Sequence, residues 1–315
     1  MRRLAVMGDD LGERLVDSLN ATYGVHPGHR AAHAKGVLCS ATFTPTTEAA
    51  QLSPAPHFAA PVRAHVRFSN GSGDPAAPDA QRDARGMAVK FYLPDNTTTD
   101  IVTISLPAFF TRTPEDLLAF NEARRPDPST GQPDINKVGE FLAQHPEAMT
   151  AVNAAITHPI PVSFATLTYN SLHAYAFEAP DGMLRHGRYH FVPDGGVQNL
   201  ADEEAAAKPP DYLRAELEQR LEHGPVIFHL DLEIANEDDP VDDPTAVWPE
   251  GREVKILGRL EITGLANDRE HDGDILVFDP TRATTGISLT NDPILLARPG
   301  AYSVSISRRM ARTRV

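Results

Sequence analysis

Apolar residues recur with a period of two along much of the chain. Val62, Ala64, Val66 and Phe68 alternate with Arg63, His65 and Arg67, and Met87, Val89, Phe91 and Leu93 alternate with Ala88, Lys90 and Tyr92. The run Val226–Ile234 repeats the pattern, and weaker cases lie near 101–105, 172–178, 188–192 and 254–262. Successive side chains of a strand point to opposite faces, so this alternation predicts strands with one buried and one wetter face. Several such strands without regular intervening helices predict an antiparallel sheet or barrel.

Helices are the minority. Pro114–Phe120 has Thr113 as N-cap, proline at the first helical position and two acids in the first turn. Asp211–His223 sets Leu213, Leu217 and Leu221 on one stripe and stops at Gly224-Pro225. Asp134–Gln144 and Pro146–Ile156 read as a further helical pair. Neither an internal repeat nor a linker interrupts the 315 residues, so a single domain over 1–315 is expected.

Composition narrows the function. A net charge of −14 argues against a nucleic-acid binder or a binder of anionic membranes. One cysteine, Cys39, excludes an internal disulfide and a cysteine-rich metal centre, and a reducing cytoplasm is the default location. No stretch approaches the roughly 18 apolar residues of a membrane span, and the first ten residues do not read as a signal peptide.

Most local motifs read blandly. His26, His29 and His33 match no zinc spacing. Gly71-Ser72-Gly73-Asp74 lacks the lysine of a phosphate loop. The acidic run 237–243 lacks the ligand spacing of a calcium loop and reads as a solvated loop.

Four separated segments are more specific together: Arg30-Ala-Ala-His33-Ala-Lys-Gly36, Val66-Arg67-Phe68-Ser69, Arg82-Asp-Ala-Arg85-Gly86-Met-Ala-Val-Lys-Phe-Tyr92, and Arg298-Pro-Gly-Ala-Tyr302. Pro107-Ala-Phe109-Phe110, Asp243–Pro249 and Phe278-Asp-Pro280 add to them. From about residue 23 to 310 the chain resembles the haem catalases, and its brevity resembles their shortened branch, the catalase-related peroxidases or minimal catalases. The resemblance implies an α+β fold, an eight-stranded antiparallel β-barrel with flanking helices, without the long N-terminal arm or the C-terminal helical domain.

The resemblance also implies a ferric haem, of the b type, with Tyr302 as proximal phenolate ligand. A phenolate needs help to form near neutral pH, and Arg298, four residues earlier, can donate to its oxygen while staying charged. Pro299-Gly300 between them is poor helix, so the helix is expected to begin at Pro299 or to be distorted there. Asp292 and His173 match residues that buttress the arginine. His33 matches the distal histidine that shuttles a proton between the two peroxide oxygens, and Ser69 the serine that fixes its ring. Arg30, Arg67 and Arg309 match propionate-binding arginines, and Phe109 belongs to the haem-binding set.

This sequence departs from typical catalases at the distal asparagine, which falls on Ile104, and at an aromatic, which falls on Leu117. Val304 and Ile306 replace polar residues after the haem tyrosine. Isoleucine cannot donate a hydrogen bond to peroxide, so a peroxidase is expected, taking peroxide and a small organic electron donor as partners. The alternatives are a weak true catalase, a hydroperoxide isomerase like the allene oxide synthases, and a haem carrier or sensor. A homodimer is left open.

Overall fold

The computed structural model describes residues 7–267, 269 and 275–312. The remaining residues, which the single-domain reading also spans, lie outside the described ones. Among the described residues ten strands form one antiparallel sheet: β1 (Gly36–Pro45), β2 (Val62–Asn70), β3 (Arg85–Tyr92), β4 (Thr98–Ile104), β5 (Tyr169–Asn170), β6 (Tyr175–Glu178), β7 (Leu184–Pro193), β8 (Val226–Ile234), β9 (Val254–Leu265) and β10 (Ile287–Leu289). Their order is β10-β6-β7-β5-β4-β3-β2-β1-β9-β8, and β8 pairs back to β7. The ring β1-β2-β3-β4-β5-β7-β8-β9 therefore closes on itself as an eight-stranded barrel. Closure removes the unpaired edges that an open sheet would expose.

The alternation in the sequence decides which side chains fill the barrel. In β8 every second residue is buried, from Val226 through Phe228, Leu230 and Leu232 to Ile234. These join Val66, Phe68, Val89, Phe91, Phe191, Leu260 and Ile262 in one core. The odd positions of β1, Val37, Cys39, Ala41 and Phe43, fill the same core, although this strand did not stand out in the sequence. Its apolar residues Val37, Leu38 and Cys39 run consecutively, and Thr42 and Thr44 blur the contrast between faces. The strand expected near 172–178 is confined to β6 at Tyr175–Glu178, and the two-residue β5 precedes it; both pair with β7.

Three helical predictions match: Pro114–Ala123 with the Thr113 hydroxyl accepting from the Asp116 N–H, Ile135–Gln144 capped by Asp134, and Tyr212–His223. The fourth splits into a 3-10 turn at Pro146–Ala148 and a helix at Met149–Ile156. An N-terminal helix, Met7–Tyr23, and a long C-terminal helix, Pro293–Arg312, pack together outside the barrel. Among the described residues no helix is long and apolar enough to cross a membrane. In the acidic run, Asp239 is taken up by Arg252, 2.7 Å from each carboxylate oxygen, while Glu237 and Asp238 are exposed.

The barrel wall leaves no room at Gly258 in β9. A methyl there would lie 2.4 Å from Cζ of the fully buried Phe43 and 2.6 Å from the Thr44 carbonyl oxygen. Gly258→Ala should therefore cost about 1–3 kcal/mol through overpacking, read as a lower urea midpoint at unchanged slope.

Candidate active site

The site is built on the outer face of the barrel. In register across three strands, Ser69 of β2 faces Gly86 of β3, which faces Ile104 of β4; one row along, Arg67, Ala88 and Val102 are neighbours. Their alternates, Phe68, Met87 and Thr103, are buried. Small residues at the centre of both rows leave the sheet shallow there. His33 enters this hollow from the segment before β1, with φ +56°, a backbone conformation that costs a non-glycine residue energy and persists only where the surroundings enforce it. Its N–H donates to the Gly71 carbonyl at 3.1 Å. Its ring Nδ1 lies 3.1 Å from Ser69 Oγ. A methyl on Gly86 would sit 2.7 Å from that Oγ and 3.0 Å from the Nδ1, so the imidazole rests where the strand carries no side chain.

Burial, followed by the positive charges of Arg67, Arg298 and Arg30, lowers the His33 pKa to about 4. The ring is neutral at pH 7. Arg67 is buried, and its Nη2 donates to the carbonyls of His33 (3.0 Å) and Ala34 (3.4 Å). Arg30 donates to the Leu276 carbonyl at 2.9 Å.

The other wall is the C-terminal helix. It begins at Pro293, ahead of the expected Pro299, and runs through Pro299 without stopping. Its start is set by the fully buried Asp292, whose Oδ1 accepts from the N–H groups of Ile294 (2.8 Å) and Leu295 (3.2 Å). The Oδ2 of the same carboxylate is 2.5 Å from His173 Nδ1. Burial and the nearby Arg298 lower the His173 pKa to about 4 against the pull of Asp292, so this ring too is neutral and donates. Arg298 Nη1 donates to the Tyr302 hydroxyl at 3.0 Å. Burial opposes the charge on Arg298, but Tyr302, Tyr175 and Asp292 together outweigh it and hold its pKa above the ordinary value.

His33, Ser69, Arg30, Arg67, Phe109, His173, Arg298 and Tyr302 all line one cavity of about 500 Å³, within the range of ligand pockets. Ile104, Leu117, Phe110, Phe120 and Val152 make its lining largely apolar. Asp292 stands behind His173, outside the lining. Arg309 is buried in an adjoining cavity of about 470 Å³ that shares Val16, Arg30, Ala31 and Ser305 with the first. His26 and His29 line that second cavity too, apart from His33. Gly86 escaped the sequence reading, as did the wall supplied by Leu15, Val16, Leu19 and Tyr23 of the N-terminal helix. The spacing of Leu11, Leu15 and Leu19 could have revealed that helix.

A family model, catalase, matches residues 16–313. This chain belongs to the catalase family. A catalase-related peroxidase of Mycolicibacterium paratuberculosis is 40% identical over 299 residues, 94% of each chain, and one of Synechococcus elongatus is 33% identical over 94% of this chain and 88% of that one. Catalase A from Saccharomyces cerevisiae shares the fold, with a TM-score of 0.81 at 24% identity over 94% of this chain. This chain spans 64% of that longer catalase. Membership implies a haem cofactor, and the cavity fits one: a neutral imidazole, a tyrosine oxygen under an arginine, further arginines and an apolar lining meet in a single space.

The two terminal helices touch backbone to backbone at Gly12 and Gly300. A methyl on Gly12 would come within 2.7 Å of the Gly300 carbonyl carbon, and backbone cannot swing aside. Gly12→Ala should displace the helix that carries Tyr302, lowering stability by about 1–3 kcal/mol and weakening haem retention. Thermal unfolding and the ratio of haem to protein absorbance check both.

Proposed function

We propose that this protein is a haem-dependent peroxidase that reduces hydrogen peroxide or organic hydroperoxides with one-electron organic donors. The observation that carries the reading is that His33, braced by Ser69, and Tyr302, braced by Arg298, line the same cavity. Haem, when bound, supplies the capacity to take two oxidising equivalents from peroxide and to accept electrons back singly. Tyr302 would hold its iron through a phenolate oxygen, with Arg298 stabilising the negative charge by a charge-assisted hydrogen bond. Arg30, Arg67 and Arg309 would pair its propionates, and Phe109 would pack on the macrocycle. His173 and Asp292 fix the start of the helix beneath Arg298. The reading includes a cytoplasmic location, in keeping with the single, buried thiol of Cys39.

His33 performs the proton transfers. With its proton on Nδ1 and directed at Ser69 Oγ, its Nε2 is a free acceptor. It takes the proton from one peroxide oxygen and returns it to the other, which leaves as water or an alcohol. The low pKa of the ring keeps it competent as a base well below neutrality. The rate of reaction with peroxide should accordingly stay flat from about pH 8 down to about pH 5.5 and fall as the pH approaches the His33 pKa, protonation removing the acceptor. His33→Ala should keep its haem and slow that reaction about 10²–10⁴-fold in stopped-flow mixing. A rate within threefold of the unaltered protein would remove His33 from this role.

Tyr302→Phe keeps the ring and loses the oxygen, so haem retention should weaken or the absorption spectrum change, with a milder change in Arg298→Ala. An unaltered spectrum and haem content would defeat the ligand assignment.

Ile104 favours peroxidase over catalase turnover. It faces Gly86 directly across the strands, in the row that carries Ser69, and lines the cavity. An aliphatic side chain there offers a second hydrogen peroxide molecule no donor to orient it, whereas an organic donor need only pass an electron. Losing a hydrogen bond of about 1–3 kcal/mol corresponds to roughly one to two orders of magnitude in rate. Ile104→Asn should raise oxygen release from hydrogen peroxide more than it raises oxidation of an aromatic donor. Vigorous oxygen evolution by the unaltered protein without donor oxidation would contradict the reading.

A further inference from the structure

Arg124 is a cation on the cavity wall with no part in the scheme above. It follows directly on the helix Pro114–Ala123, half-buried, and its position is tightly held. Nε and Nη2 donate to Asn121 Oδ1 at 3.0 and 2.8 Å, and Nη1 donates to the Tyr23 hydroxyl at 2.9 Å. The guanidinium carbon lies 5.1 Å from the Tyr23 ring centre and 5.2 Å from that of Phe120. Asn121 is itself buried and donates to Ser18 Oγ at 2.9 Å.

Every one of these partners is neutral. Among the described residues no carboxylate comes within 4 Å of Arg124, while its neighbour Arg125 pairs with Glu122 at 3.6 Å. Asp83 lines the same cavity, but it lies beyond ion-pair distance and one of its oxygens accepts from the Ser72 N–H at 2.8 Å. A guanidinium carries five N–H donors, and three are used. A charge taken partly out of water without a counter-charge is costly, and this one is braced by dipoles and ring faces with two donors left over. Phe120 packs against it, Leu117 and Val152 cluster with Phe120, and Leu19 lines the same cavity. In a chain of net charge −14, a local cation is what a small organic anion needs in order to bind.

We propose that Arg124 anchors the carboxylate of an organic co-substrate whose apolar body lies against these four residues. The word co-substrate rests on the peroxidase reading; the anion site does not. The carboxylate belongs either to the hydroperoxide or to the reducing donor, two sources with one chemistry at the anchor.

Binding is measured first, by calorimetry on the purified holoprotein with octanoate and 1-octanol as probes. Octanoate should bind at least tenfold tighter to the unaltered protein than to Arg124→Gln, with octanol unchanged within twofold and Arg124→Lys in between. Octanoate binding no tighter than octanol in the unaltered protein overturns the proposal whether or not the variants fold. Equal octanoate affinity in a folded Arg124→Gln overturns it as well. Kinetics then separate the two sources. Hydroperoxides differing only as free acid and methyl ester are compared with a neutral donor, and aromatic donors differing in the same way are compared with hydrogen peroxide. Arg124→Gln should raise KM at least tenfold for the acid of one pair and leave its ester within twofold. Turnover in which neither acid responds overturns the co-substrate role. An absence of any turnover defeats the peroxidase reading and leaves the octanoate result to judge the anchor.

Discussion

A single buried carboxylate governs the geometry of the site. Asp292 spends one oxygen on two N–H groups of the first turn of the C-terminal helix and the other on a neutral histidine from the barrel side. A carboxylate with no solvent contact is tolerated only when its lone pairs are taken up in this way. Because the cap fixes where the helix begins, it also fixes which face Arg298, Tyr302, Ser305 and Arg309 present, at intervals of four, three and four residues. Pro299 deprives the Leu295 carbonyl of its usual intrahelical donor. The helix continues across that gap because it is tied on both sides, by Asp292 before it and by the Gly12–Gly300 contact after it.

The barrel was legible where apolar and polar residues alternate cleanly, as in β2, β3 and β8, and illegible where the alternation is broken by consecutive apolar residues and threonines, as in β1. A start of the C-terminal helix at Pro299 is not what forms, because local propensity at Pro299-Gly300 cannot register a cap seven residues before the proline or a second helix pressed against the glycine. His33, Ser69, Arg298 and Tyr302 could be named from motifs, and the structure brings them to one cavity. Gly86 lay inside one of those motifs without standing out, because its importance is the absence of a side chain beneath an imidazole that arrives from another part of the chain. Arg124 was invisible for a related reason. A charged residue after a surface-patterned helix reads as solvated until the helix carrying Tyr23 is seen to cover it.

The electrostatics of the cavity invert those of the molecule. Arg30, Arg67, Arg124 and Arg298 line one space in a strongly acidic protein, with Asp83 as the carboxylate among the lining residues. Burial first, and then the positive charges of Arg67, Arg298 and Arg30, keep His33 from accepting a resting proton. On the proposed role of Arg67 as a propionate partner, a substitution there would alter cofactor affinity and the basicity of the imidazole together.

The terminal helices also set an order of assembly. Barrel closure joins β1 to β9, where Thr263 reaches back 223 residues to Ser40, and such distant pairings form slowly. All eight ring strands are complete by Leu265, before the ribosome has made the helix that bears Tyr302. A chain that has closed the ring but not docked that helix therefore holds His33 without Tyr302. On the proposed roles, cofactor capture has to follow the docking of the helix Pro293–Arg312 against the closed ring.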